Sequence, residues 1–196
     1  MIQVQCAEGE DPFFVPKSLV IPRSKFFAEE CNDRPWDVPV DVSSHFRGGG
    51  EENFEAYLEL LYTGDVEYPG ATDAAGWRAI VDLYIMAGRL KDSKSVNMVL
   101  DKIVEALEEY GLCSAMIDSI YDVVDLQSNL SRLLVDFTTT CMTLESLEDF
   151  FDSHPQPLYL SEFLQLAALE FLRQRDERGN PAQERFEGIE KYYMNY

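Results

Sequence analysis

The sequence predicts an α+β fold, mainly helical, and three observations carry that expectation. Strand-like alternation of apolar and polar residues is confined to positions 2–42. Helical spacing of apolar residues takes over from Asn53 and persists almost to the end. Three short strands cannot stand alone in water, so the helices that follow must cover them.

The elements follow in order. Ile2-Gln3-Val4-Gln5-Cys6 alternates as a half-buried strand. Ala7 to Pro12 is acidic and holds a Gly and a Pro, which turns the chain into a second short strand, Phe13-Phe14-Val15. Lys17 to Ile21 is a short helical turn stopped by Pro22, and Ser24 is a fitting N-cap for a brief helix with Phe26 and Phe27. Val38, Val40 and Val42 alternate as a third strand behind the breaks at Pro35 and Pro39.

Phe54, Tyr57, Leu58, Leu61 and Tyr62 mark one face of a helix that begins near Asn53 and ends at Thr63-Gly64. Val66 adds a residue or two of strand. A helix from about Ala75 to Leu90 carries Trp77, Ile80, Val81 and Tyr84 inward. Asp92 caps the next, whose stripe runs from Val96 to Leu107 and whose end is Gly111. Met116, Ile117, Ile120, Tyr121 and Val124 form another helix. Leu130, Leu133, Leu134 and Phe137 form one more, stopped by Thr138-Thr139-Thr140. A short acidic helix spans Leu144 to Phe151. The last spans Tyr159 to Arg175, with Phe163, Leu164, Ala167, Leu169, Phe171 and Leu172 over a wide face. Gly179 to Tyr196 is a polar tail, helical or not, holding Tyr192 and Tyr193. The domains expected are 1–110, a helical extension over 111–178, and the tail over 179–196.

Charge narrows the function classes. Thirty-six acidic residues against 16 basic ones give a formal charge of -20. That field repels phosphate backbones, so direct nucleic-acid binding is not expected. No apolar run reaches the roughly 18 residues of a membrane span. The start, MIQVQCAEGED, lacks a positive n-region and an apolar h-region, so an intracellular chain, nuclear or cytoplasmic, is expected, with Cys6, Cys31, Cys113 and Cys141 as free thiols.

Arg47-Gly48-Gly49-Gly50 lacks the Lys and Ser/Thr of a phosphate cradle and precedes Glu51-Glu52. Adjacent carboxylates such as Glu108-Glu109 diverge on a helix and read as solvated faces. His45 and His154 are too far apart to suggest a zinc site with the cysteines. His45 beside Ser43 and Ser44 shows no orienting partner for a hydrolase. No catalytic residue, cofactor or metal is expected.

Four segments, in order, resemble the BTB/POZ family, especially its short fungal members. Phe14-Val15-Pro16-Lys17-Ser18-Leu19-Val20 is similar to the strand-to-helix junction F-x-V-H-K-x-L-L, with Pro16 in place of the histidine. Arg23-Ser24-Lys25-Phe26-Phe27 is similar to R-S-P-F-F. Phe54 to Leu58 with Leu61-Tyr62-Thr63-Gly64-Asp65-Val66 is similar to the family's helix ending in L-Y-T-G. Asp82 to Leu90 is similar to d-L-Y-x-L-A-d-x-L. The resemblance covers roughly residues 2–110.

The resemblance implies a protein-interaction module, a scaffold or adaptor, and not an enzyme. It implies a homodimer through the first strand and first helix, so Ile2, Val4, Phe13, Phe14, Lys17 and Leu19 are the candidate partner-binding residues. One reading of Phe13 and Phe14 is a buried seam; the other has one in the core and one exposed. A second implied role is substrate adaptor of a cullin-type ubiquitin ligase, with a cullin scaffold as partner. Phe27-Ala28-Glu29 fits the apolar-x-Glu letters of cullin-binding members but lies inside an expected, buried helix. Tyr192 and Tyr193 complete the candidates, docking on their own domain, on a dimer mate or on another protein. An enzyme with an unrecognised site is the third alternative.

Overall fold

The computed structural model describes residues 1–7, 9, 11–32, 34–35, 37–45, 50–66, 74–112, 114–121, 128–143, 160–178 and 192–194. Among them are strands β1 (Ile2–Gln5), β2 (Phe13–Val15) and β3 (Val40–Asp41). The helices are α1 (Lys17–Val20), α2 (Lys25–Cys31), α3 (Gly50–Thr63), α4 (Ala74–Arg89), α5 (Ser93–Tyr110), α6 (Ser114–Tyr121), α7 (Asn129–Cys141) and α8 (Leu160–Arg178), with a 3₁₀ turn at Ser43–His45. The fold is α+β and mainly helical.

The described chain forms two compact units. The first comprises Met1–Pro69, Ala79–Val104 and Met194–Tyr196, the second Gly70–Arg78 and Glu105–Tyr193. Residues 74–78 of α4 and 105–110 of α5 therefore belong to the second.

In the first unit the strands lie in the order β2-β1-β3. β1 pairs with β2 antiparallel, Ile2 opposite Val15 and Val4 opposite Phe13, and with β3 parallel, Val4 opposite Val40. Period-two alternation then sends Ile2, Val4, Val15 and Val40 inward, where all four are buried. The third strand is shorter than expected: Pro39 offers no N–H to a ladder, and Val38 is exposed. Val42 still donates its N–H to the Gln5 carbonyl at 2.9 Å.

The aromatic plugs meet as their sequence positions imply. Phe54 of α3 has Phe13 at 5.2 Å edge-on and Phe27 at 6.5 Å. The stripe on α3 is Phe54, Tyr57, Leu60 and Leu61. Leu60 widens it on one flank, which leaves Tyr62, expected inside, 63% exposed on the other. Gly64, at φ +72°, takes the left-handed position that closes this helix, its N–H on the Leu60 carbonyl. Val66 forms no strand.

Five polar side chains, Arg23, Ser24, Tyr57, Asp92 and Ser95, lock the helix junctions of this unit. Ser24 caps α2, accepting from the Phe27 N–H at 3.1 Å and donating to the Leu90 carbonyl. Asp92 caps α5, its Oδ1 accepting from the Ser95 N–H at 3.0 Å. Its Oδ2 accepts from Tyr57 OH at 3.0 Å and Ser95 Oγ at 2.7 Å. Arg23 reaches both Asp92 (3.4 Å) and Ser95 Oγ (2.8 Å). A fully buried carboxylate is stable there because its lone pairs are engaged and a guanidinium faces it.

In the second unit α6 packs on α7 and α7 on α8. Leu130, Leu133, Leu134 and Phe137 are buried as their spacing implies. The threonine run does not stop α7, which continues to Cys141. Thr138 and Thr139 donate their hydroxyls to the Leu134 and Val135 carbonyls, so the turn satisfies them internally. On α8 only part of the expected wide face is inside: Phe163 and Ala167 are buried, whereas Leu169 and Phe171 are exposed. Val124, the acidic segment 144–151, Cys113 and His154 lie outside the described residues. No helix among those described is long and apolar enough to cross a membrane.

Candidate functional site

The candidate interaction surface is built on β1, β2 and α1. Cross-strand partners share a sheet face, so Val4 and Phe13 point inward while Gln3 and Phe14 point out. Ile2 and Val4 are therefore core residues of the chain itself, and what β1 offers outward is Gln3 and Gln5. Phe13 is half-buried against Phe54. Phe14 is 64% exposed, on a strand whose outer edge has no neighbour among the described strands. The Phe pair is thus one core ring and one surface ring. The alternation Phe13-in, Phe14-out, Val15-in was already present in the sequence as a period of two. On α1, Lys17 is exposed, Leu19 half-buried and Val20 buried.

Beside this face lies a shallow depression lined by Ile2, Gln3, Lys17, Cys31, Arg34 and Val38. Its volume is about 10 Å³, room for one water and no ligand. Its geometry suits contact by a surface. Arg34 shapes the rim, donating to the Pro39 carbonyl at 2.7 Å and pairing with Glu30. Burial pushes the Cys31 thiol above its ordinary range, against the pull of Lys17 and Arg34, which keeps it a poor nucleophile.

Phe27 of the Phe27-Ala28-Glu29 match is fully buried, and Glu29 pairs with Lys91 at 2.7 Å. That match offers a partner no apolar side chain. His45 lies against the Phe26 ring at 4.5 Å, with Ser44 Oγ 3.2 Å from its Nδ1. Burial, with Arg89 assisting, holds the His45 ring below its ordinary pKa. The Asp41 carboxylate accepts the Ser43 N–H at 2.8 Å. The Ser43 hydroxyl first, and this N–H second, hold the carboxyl below its ordinary pKa.

The second unit holds a larger feature, a cleft of about 450 Å³ between α7 and α8. Asn129, Arg132 and Asp136 line it from α7, and Leu166, Leu169, Glu170 and Arg173 from α8. Tyr192 forms one wall. Its hydroxyl donates to Asp136, and Asn129 Nδ2 donates to its carbonyl at 2.9 Å. Burial first, and the Asp136 bond second, push the Tyr192 phenol well above its ordinary pKa. Arg173 pairs with Glu170 along α8. Tyr193 is half-buried. In the first unit, Asn97 Oδ1 accepts the Met194 N–H at 2.8 Å.

Sequence reasoning singled out Tyr192 but not its seat. Asn129, Arg132 and Asp136 stand at i, i+3 and i+7, a polar stripe beside the apolar face of the helix, and that spacing is the signal that was available. Compared with known proteins, the chain matches no family model, no curated protein and no solved structure.

Proposed function

We propose that the chain is a protein-interaction module of the BTB/POZ type, acting by binding, which pairs with a second copy through β2 and the exposed side of α1. The observation that carries this reading is Phe14, a large ring at 64% exposure on an edge strand. Such edges join to other chains unless something blunts them. Covering one Phe contributes about 1.5–3 kcal/mol, a useful anchor at the centre of a patch.

The local structure of the segments that carry the family resemblance supports this reading. Phe14 to Val20 runs from β2 through Pro16 into α1, Ser24 caps α2, and Thr63-Gly64 ends α3. The early strands followed by helices are compatible with it.

Light scattering after size exclusion tests the proposal. The native chain at tens of micromolar should have twice its 22.4 kDa mass. The F14D variant, whose change lies outside the core, should run at the single-chain mass with its circular dichroism unchanged. A native chain that is monomeric at that concentration refutes the pairing.

A further inference from the structure

We propose that the α7–α8 cleft is a peptide site whose resident ligand is the chain's own Tyr192, and that a tyrosine-presenting segment of a partner protein displaces it. This goes beyond the pairing proposed above, which rests on residues of the first unit.

Three observations carry it. The cleft reads two features of a tyrosine at once: Asp136 accepts from the phenol hydroxyl, and Asn129 donates to the backbone carbonyl. A side-chain amide bonded to a main-chain carbonyl recognises the backbone whatever its neighbouring side chains, and a carboxylate bonded to a phenol selects Tyr over Phe. Tyr192 also fills only part of the space, since about 450 Å³ remains beside it. That is inside the roughly 300–1,000 Å³ typical of ligand clefts and leaves room for residues flanking a tyrosine. Finally, that space is bordered by Leu166 and the 59%-exposed Leu169, apolar surface that a longer segment would cover.

The occupant follows from the resident. A segment held in place by its own chain competes at high effective concentration, so an external peptide binds weakly until the resident is removed. The probe is a fluorescein-labelled peptide of the chain's own Gly188–Tyr196 sequence, titrated into the full chain and followed by anisotropy.

Y192A should bind it at least tenfold more tightly than the native chain does. Adding D136N to Y192A should weaken binding at least fivefold. Y192F, which keeps the ring and loses the phenol bond, should fall between Y192A and native. If Y192A keeps the native circular dichroism and still binds no more tightly, the proposal is overturned. Affinity indifferent to D136N overturns it equally. Should Y192A not fold, Y192F carries the test alone, and equality with the native chain counts against the site.

Discussion

Asp92 is the residue on which the first unit's polar order turns. It is fully buried, caps α5, and gathers Tyr57, Ser95 and Arg23 on its two oxygens. Asp92→Ala leaves Arg23 without its anion and the Ser95 N–H without a cap, a loss of about 3–5 kcal/mol. Tyr57→Phe removes one bond to a charged acceptor and should cost about 1.5–3 kcal/mol. The two losses should be less than additive in urea unfolding, because Tyr57 and Asp92 share the bond. Lys91 next to it is a non-glycine residue at φ +54°, at the end of α4. Lys91→Gly relieves that backbone and sacrifices an exposed pair with Glu29. Since exposed pairs contribute little, the net change should be a gain of about 0.5–1 kcal/mol in the same measurement. His45 sets a pH response. Its folded pKa lies below the ordinary 6.5, so its contribution is complete above that value and is lost as pH falls through the folded pKa. Between pH 6.5 and 5 the native chain should therefore lose stability that H45Q retains. Equal slopes for the two chains over that window would remove His45 from the account.

At the level of the element, what the sequence disclosed was periodicity and caps. Ser24 and Asp92 sit where helices start, Gly64 and Gly111 where they stop, and each is visible because one residue type does one local job. The β1–β2 hairpin was legible for the same reason. Tertiary context hid the rest. Tyr62 satisfies the helical period of α3, yet the neighbouring elements take the flank carrying Leu60. Thr138 and Thr139 look like a stop, but a hydroxyl that bonds back to the preceding turn lets the helix run on. Of the candidate surface, Phe14 was named in the sequence, and the separate fates of the two rings became clear only from the register. The α7–α8 cleft was least legible, since Asp136 and Asn129 gain meaning only when Tyr192 is seated. The start of α7 offers a local check: Ser128 accepts the Ser131 N–H at 3.1 Å, so Ser128→Ala should destabilise the second unit by about 1 kcal/mol. Hydrogen exchange along 130–137 should report that change, while exchange in β1 stays as it was.

For the whole molecule the governing quantity is charge. Sixteen basic residues cannot neutralise 36 acidic ones, so a large excess of negative charge remains. The ion pairs that are exposed, Lys91–Glu29 and Arg173–Glu170 among them, contribute about 0–1 kcal/mol each. Salt weakens both the attractions and the repulsions, and the sign of its effect tells which dominates. With a formal charge of -20, the repulsive sum is the larger, spread over distances comparable to the Debye length of about 10 Å at 0.1 M. Raising sodium chloride from 20 to 300 mM should therefore raise the midpoint of thermal unfolding by several degrees. The buried Arg23–Asp92 pair is screened far less and should not offset this. The same field bears on association: two like-charged copies repel at long range, so salt should also tighten any pairing through Phe14. Light scattering across that salt range should show the dimer fraction rising with ionic strength. A fraction that falls would mean that opposite charges, not the exposed ring, hold the copies together.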